Sequence, residues 1–386
     1  MAGVKITGMG ICLPKTVLDN QRLSHELEAR ILLLRDQGLI HGDMETIRKK
    51  YLTSPEWIKE REIGIEERRI IPASAATSDL AVIAAEGALA MSGLSKKMVE
   101  SVLLASVTPD YRFSPPTTSV IQEKLGLPVR TKEGLRNFFF SDISAACSSF
   151  PVALYNAYAL IRSGLRQNVV LIGADKMSSA TNWYDRQTCI LLADGAFACV
   201  LEATEGPDWF DPNWFFFGTD GSLADRIMTK KGGSASPLEK GDLDNPLLRE
   251  DKIAMQGNKV FKEITRILPE EVIPQAIKKS GLTLDQIKLM VFHQANLRMI
   301  DKVVQDLGYE GEVYNNISTY GNTTSASIGI ALYEAWQKGL VKSGDYVMLV
   351  AFGGGYTWGV VILKYWGLNV LDIPLPEEET EELSAK

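Results

Sequence analysis

Short apolar runs punctuate the chain: Val102-Leu103-Leu104-Ala105, Phe138-Phe139-Phe140, Val169-Val170-Leu171-Ile172, Leu289-Met290-Val291-Phe292 and Val347 through Phe352. Each is of strand length and bounded by polar or small residues, as buried strands are. Between them lie Ala-rich and amphipathic stretches that read as helices, two of them stopped by glycine at Gly93 and Gly281. No run approaches the roughly 20 apolar residues that a spanning helix needs. Strand–helix alternation of this kind predicts an α/β fold.

The pattern also repeats. Ser92-Gly93-Leu94-Ser95, then Val99 and Val102 through Ala105, recurs without a gap as Ser280-Gly281-Leu282-Thr283, then Ile287 and Met290 through His293. Ser141-Asp142-Ile143-Ser144 before Ala153-Leu154-Tyr155-Asn156-Ala157 is echoed by Asn315-Asn316-Ile317-Ser318 before Ala331-Leu332-Tyr333-Glu334-Ala335. Val169 through Gly173 pairs in the same order with Tyr346 through Val350. Three echoes in register predict two related halves, residues 1–205 and 206–366, with the break in the Gly-, Pro- and aromatic-rich stretch 204–250. Residues 22–56 read as an amphipathic, mostly helical insertion. Residues 367–386 form an acidic tail that we expect to be disordered.

Composition narrows the class. With 45% apolar residues the 386-residue chain can bury a core, and its net charge of -7 argues against a nucleic-acid binder. Met1 through Lys5 carries no apolar signal core, so a cytoplasmic protein without membrane insertion is expected. The four cysteines (Cys12, Cys147, Cys189, Cys199) have neither disulfide-framework nor zinc-site spacing, and no metal is expected. His25, His41 and His293 are the only histidines, so imidazole chemistry has few candidates.

Cys147 follows the strand-like Phe138 through Ile143 and opens an Ala-rich helix. A thiol at such a junction feels unsatisfied N–H groups and the positive helix end, which would lower its pKa and make a nucleophile. Before any resemblance is weighed, packing as a small buried hydrophobe is the favoured reading. His293 ends a buried strand, where α/β folds place ligands; a core or capping histidine is the alternative. Asn322, in Gly321-Asn322-Thr323-Thr324-Ser325-Ala326-Ser327, sits at the second half's counterpart of the Cys147 junction, either as a helix cap or as an amide donor to a carbonyl. Phe352-Gly353-Gly354-Gly355-Tyr356-Thr357-Trp358-Gly359 lacks the Lys-Ser/Thr of a phosphate loop. It is a tight turn, or a stretch of bare backbone for an oxyanion.

Those motifs, Ala-Ala-Cys147, His293-Gln-Ala-Asn-Leu-Arg298, the Asn322 segment and the Gly353–Gly355 turn, resemble the thiolase superfamily and within it the β-ketoacyl-acyl-carrier-protein synthase III family. Supporting matches at Glu56-Trp57-Ile58, Asp185-Arg186-Gln187-Thr188, Asp194-Gly195-Ala196 and Gly257 through Lys262 extend the resemblance from about residue 3 to 366. It implies a five-layered αβαβα fold, a homodimer, and a Cys147–His293–Asn322 triad with the oxyanion held by the N–H groups of Cys147 and Gly354. It further implies acyl transfer from acyl-CoA to Cys147, then decarboxylative condensation with malonyl-acyl carrier protein, with no cofactor. Trp57 and Arg61 would sandwich the CoA adenine, and Arg186, Asn258 and Asn296 would line the tunnel. Arg298 and Lys262 would contact phosphate or carrier protein, and Phe113 would belong to a lid on the acyl pocket.

Relatives separate at the same positions. A degradative thiolase needs a second cysteine near the C-terminal glycine turn, and none lies beyond Cys199. A plant-type polyketide synthase carries Gly-Pro-Gly where this chain has Gly353-Gly354-Gly355. A hydroxymethylglutaryl-CoA synthase uses a glutamate in place of the asparagine. The insertion, Ser148-Ser149 and Pro115-Pro116 depart from the family pattern. They leave open a specialised ketosynthase of the dialkylresorcinol or alkylquinolone type with longer or β-ketoacyl donors, and a non-catalytic carrier-binding subunit.

Overall fold

The structure, a computed structural model, describes residues 2–368, so the acidic stretch from Pro374 lies outside the described residues. Ten strands build two sheets. The first contains β1 (Gly3–Cys12), β2 (Ser101–Ala105), β3 (Phe139–Ile143), β4 (Asn168–Lys176) and β5 (Asp194–Thr204) in the order β1-β5-β4-β2-β3. The second contains β6 (Phe215–Thr219), β7 (Ile287–Phe292), β8 (Glu312–Tyr314), β9 (Tyr346–Gly353) and β10 (Thr357–Lys364) in the order β6-β10-β9-β7-β8. The two orders are the same once chain position is allowed for. So are the pairing senses: the first strand of each set runs antiparallel to the fifth, the fourth antiparallel to the fifth, and the remainder parallel. The repeat seen in sequence is therefore a duplicated topology.

Buried apolar positions explain the layering. Helices α1 (Ser149–Arg162) and α2 (Ser327–Gln337) lie between the sheets, where Phe150, Leu154 and Tyr158 of the first join Ile328, Leu332 and Trp336 of the second in one core with residues of both sheets. A helix over Thr77–Ser92 covers the outer face of the first sheet, and helices over Gly257–Ile267 and Leu297–Leu307 cover that of the second. The result is an αβαβα stack. Close approach inside it depends on Gly329, where a Cβ would lie 2.1 Å from the Phe197 ring. Only a residue without a side chain lets α2 settle so near β5.

The segment read as an insertion is mostly helical. It forms helices over Asn20–Asp36 and Met44–Tyr51, capped by Asp19 and Asp43, whose carboxylates accept the N–H groups of Arg22 and Thr46. Their buried faces (Leu23, Leu27, Ile31, Ile47) pack in a separate cluster with Cys189, Ile190 and Ile317. That contact ties the insertion to segments leading into the site. Among the described residues, no helix is long and apolar enough to cross a membrane.

One expectation is corrected by the register. Ala146 and Thr324 both take positive φ (51° and 50°), each three residues before its central helix begins. Cys147 and Ser325 follow them, so Ser325, not Asn322, is the residue equivalent to Cys147. Asn322 belongs to a longer connection between Tyr314 and Thr324, for which the first half has only Ser144 and Ala145.

Candidate active site

Cys147 is placed by a strained turn. Ala146 adopts the left-handed region that costs a non-glycine residue roughly 1–3 kcal/mol, a penalty tolerated where surrounding contacts over-determine it. Those contacts are present. The Ala146 carbonyl accepts from the N–H of Ser149 at 3.0 Å and from its hydroxyl at 2.6 Å, and Ser149 Oγ accepts the Ala145 N–H at 2.8 Å. Thr357 Oγ1 then donates to the Ala145 carbonyl at 3.1 Å, fastening the cysteine turn to the start of β10.

Against the sulfur lies the glycine turn. A Cβ on Gly353 would sit 2.7 Å from both Cβ and N of Cys147 and 3.0 Å from Sγ, so glycine is a steric requirement there. The backbone N–H groups of Gly354 and of Cys147 pull the thiol pKa down. They favour the thiolate, as expected from sequence, but they are outweighed. Burial, with the charge of Asp175 adding to it, pushes the Cys147 thiol up to about 12. The expected lowering by the helix end is therefore corrected: α1 begins at Ser149, two residues on, and desolvation is the larger effect.

His293 and Asn322 belong to the second half and are linked there through Ser327 and Thr324. The His293 backbone N–H bonds to Val350 of the neighbouring β9 at 2.8 Å, and its ring meets Phe352 edge-on at 5.6 Å, one residue before Gly353. Its Nδ1 is 2.7 Å from Ser327 Oγ. Burial draws the imidazole down to about 3, so the ring is neutral at physiological pH. Asn322 is not a helix cap. Its Oδ1 accepts the Thr324 N–H at 2.9 Å, which leaves the amide Nδ2 as the end available for donation. The second half thus offers a neutral imidazole packed on the residue before Gly353 and an amide held by its oxygen.

Asp175, which sequence reading passed over, joins the two halves beneath this site. Fully buried at the end of β4, it accepts from Ser106 Oγ, from N and Oγ1 of Thr108, from Val107 N and, at 2.9 Å, from the Ser325 N–H. Burial pushes its carboxyl above the usual range, while the N–H groups of Val107 and Ser325 pull it back. Its place at the C-terminal end of an apolar strand is the signal that marked His293 and would have marked it too.

The remaining expected residues divide. Trp57, Arg61 and Arg186 come together, with the two guanidinium carbons 3.7 and 4.4 Å from the Trp57 ring centroid. At 3.7 Å no base fits between Arg61 and Trp57, so the expected adenine sandwich of that pair is closed in this conformation. Asn296 caps Leu297–Leu307, its side chain accepting the Met299 N–H at 3.2 Å. Asn258 and Lys262 are exposed on Gly257–Ile267, and Arg298 lies over Phe261 and pairs with Glu62 at 3.5 Å. Phe113 is 83% exposed, away from any lid contact within this protomer.

Residues 141–221 match the family model for 3-oxoacyl-[acyl-carrier-protein] synthase III, and residues 277–365 match the model for its C-terminal part. A β-ketoacyl-[acyl-carrier-protein] synthase III of Clostridium perfringens is 38% identical over 365 residues, covering 94% of this chain and 100% of that protein. The chain belongs to the β-ketoacyl-acyl-carrier-protein synthase III family. Another member, from Campylobacter concisus, is 40% identical over 83% of this chain and 92% of its own length. The crystal structure of the Aquifex aeolicus 3-oxoacyl-[acyl-carrier-protein] synthase III superposes with a TM-score of 0.76 at 35% identity, covering 94% of this chain and 100% of that one. Like its relatives, the protein has the thiolase-type fold and is a condensing acyltransferase of the synthase III type.

Proposed function

We propose that the protein transfers an acyl group from acyl-CoA to Cys147 and condenses it with malonyl-acyl carrier protein, giving CO2 and a β-ketoacyl-acyl carrier protein. The observation that supports this reading is the packing of the Gly353 turn on Cys147, with His293, a neutral donor, on Phe352 just before that turn and linked through Ser327 and Thr324 to Asn322. In the first half-reaction Sγ attacks the thioester carbonyl. The bond to the CoA sulfur breaks, and the thiol proton ends on CoA. The N–H groups of Cys147 and Gly354 take the charge that develops on the carbonyl oxygen. In the second, the malonyl carboxylate leaves as CO2 and its electron pair enters the thioester as an enolate, held by Nε2–H of His293 and Nδ2–H of Asn322. The carbanion attacks acyl-Cys147, the carbon–sulfur bond breaks, and the thiolate takes a proton from solvent. Both halves balance without a cofactor. Neutrality matters at His293, because a donor that stays neutral stabilises the enolate without protonating it.

In this reading CoA enters along Trp57 and Arg186, with Asn258 and Asn296 near its path, and Arg298 and Lys262 offer positive charge to the acidic carrier. The working unit is a homodimer. β3 is the terminal strand of its sheet, with Phe140 46% exposed, and an apolar edge of that kind invites pairing with a second copy. Phe113 would then reach the partner's acyl pocket. The test is a pair of half-reactions on the wild-type protein: a mass increase on Cys147 after acyl-CoA, then CO2 release when malonyl-acyl carrier protein is added. No adduct with any acyl-CoA across a range of chain lengths overturns the proposal.

A further inference from the structure

His293 is held from behind by one side chain, Ser327, the first residue of α2, and both are buried. The hydroxyl has a single hydrogen and two acceptors in reach: Nδ1 at 2.7 Å and the Thr324 carbonyl at 3.0 Å. The choice fixes the imidazole tautomer. With the hydrogen on Thr324, Nδ1 must itself carry a proton, and Nε2 faces the site as a bare acceptor. With the hydrogen on Nδ1, the ring proton sits on Nε2, which then donates.

The duplicated fold supplies an internal control. Ser149, the first residue of α1, is the equivalent of Ser327, and its hydroxyl likewise donates back to the carbonyl of the left-handed residue three positions earlier. There the distance is 2.6 Å, and among the described residues no histidine is bonded to it. In the second half the same distance opens to 3.0 Å, and Nδ1 becomes the nearer acceptor at 2.7 Å. The Thr324 carbonyl is not abandoned, since it also accepts the backbone N–H of Ser327. An Oγ lone pair is engaged as well, by the Gln294 N–H at 3.3 Å. Every polar group stays paired when the hydroxyl turns to the ring.

We propose that Ser327 is a positioning residue: its hydroxyl donates to Nδ1 of His293 and so holds the proton on Nε2, the form that can donate to the substrate carbonyl. This rests on the condensation reading above. Ser327 acts through the imidazole and on the decarboxylating half-reaction, whereas Ser149 acts on the turn that carries the nucleophile.

The tautomer is measurable in the free protein. With only His25, His41 and His293 in the chain, two-dimensional ¹H–¹⁵N spectra through the ring carbons resolve each imidazole, and His293→Ala assigns the third. The expected pattern for His293 is a neutral ring protonated at Nε2; a ring protonated at Nδ1 overturns the proposal. Ser327→Ala supplies the second readout. Decarboxylation of malonyl-acyl carrier protein should slow about tenfold to a hundredfold more than acylation of Cys147, a loss below that of removing an oxyanion donor outright. Ser327→Thr should restore most of the ratio. Equal slowing of both half-reactions, or no slowing, contradicts the assignment. If Ser327→Ala does not fold, the wild-type spectrum alone decides. A wild-type protein that neither acylates nor decarboxylates overturns the condensation reading and leaves the tautomer result standing.

Discussion

The two halves of this protein use one backbone device for opposite purposes. Each has a turn with one residue at φ near 50° three positions before its central helix begins. In the second half the peptide N–H of Ser325, just after that residue, holds a carboxylate oxygen of Asp175 at 2.9 Å. In the first half the equivalent residue is Cys147, whose N–H donates to no such carboxylate among the described residues and lies beside the Gly353 turn. The comparison teaches that this turn is a ready anion cradle. One copy is filled by Asp175 and ties the halves together, and the other is the turn to which we assign the oxyanion of the reaction. The second half then adds what the first lacks, a longer connection carrying Asn322 and a strand ending in His293.

The comparison can be broken at several points. The largest effect is expected at Gly353. Gly353→Ala puts a methyl 2.7 Å from the Cys147 backbone nitrogen, an atom that cannot yield as a flexible side chain would. Displacing the nucleophile by as little as an ångström costs on the order of 100-fold, so acylation should fall at least that far. Acyl-CoA loading followed by intact mass checks it, and a near-normal rate would show that the cradle is more pliant than its geometry implies.

A smaller but graded effect concerns pH. Burial raises the Cys147 thiol from its ordinary value near 9 to about 12. Alkylation by iodoacetamide should therefore keep rising about tenfold per pH unit through pH 9. A plateau near pH 7 would mean that the helix end outweighs burial after all. The linkage has a definite sign. A native thiol that holds its proton more tightly than the unfolded one favours folding less as pH climbs from about 9 toward 12.

The smallest effect is expected at Trp57, the proposed CoA entrance. Arg61 lies on the Trp57 face at 3.7 Å, and a cation–π contact at an exposed site is worth about 0.5–1 kcal/mol. If Arg61 must leave before adenine stacks, Arg61→Ala should lower KM for acyl-CoA by roughly two- to fivefold. If Arg61 instead clasps the bound adenine, KM should rise by a similar factor.

Much of this was legible in the sequence, and the exceptions share a cause. Cys147, His293, Asn322 and the Gly353–Gly355 turn are local motifs, and the duplicated halves follow from apolar spacing. The equivalence of Cys147 with Ser325 was hidden, because the second half inserts residues between strand and helix and shifts the apparent register. Asp175 is a lone acid at the end of an apolar strand, and its role depends on Ser325, 150 positions away. The direction of the Cys147 shift depends on desolvation by segments from both halves, which no nearby residue encodes. Arg61 on Trp57 is a contact between side chains four apart, within a helix and its exit, where the sequence suggested an open clasp.

The division of labour between the halves is tested most directly by single-turnover mass spectrometry of Asn322→Ala. The protein is loaded with acyl-CoA and then mixed with malonyl-acyl carrier protein. Our account predicts that the Cys147 adduct forms and then persists, its discharge slowed on the order of 100- to 1,000-fold by loss of one enolate donor. Discharge at the wild-type rate, or an adduct that never forms, would contradict it.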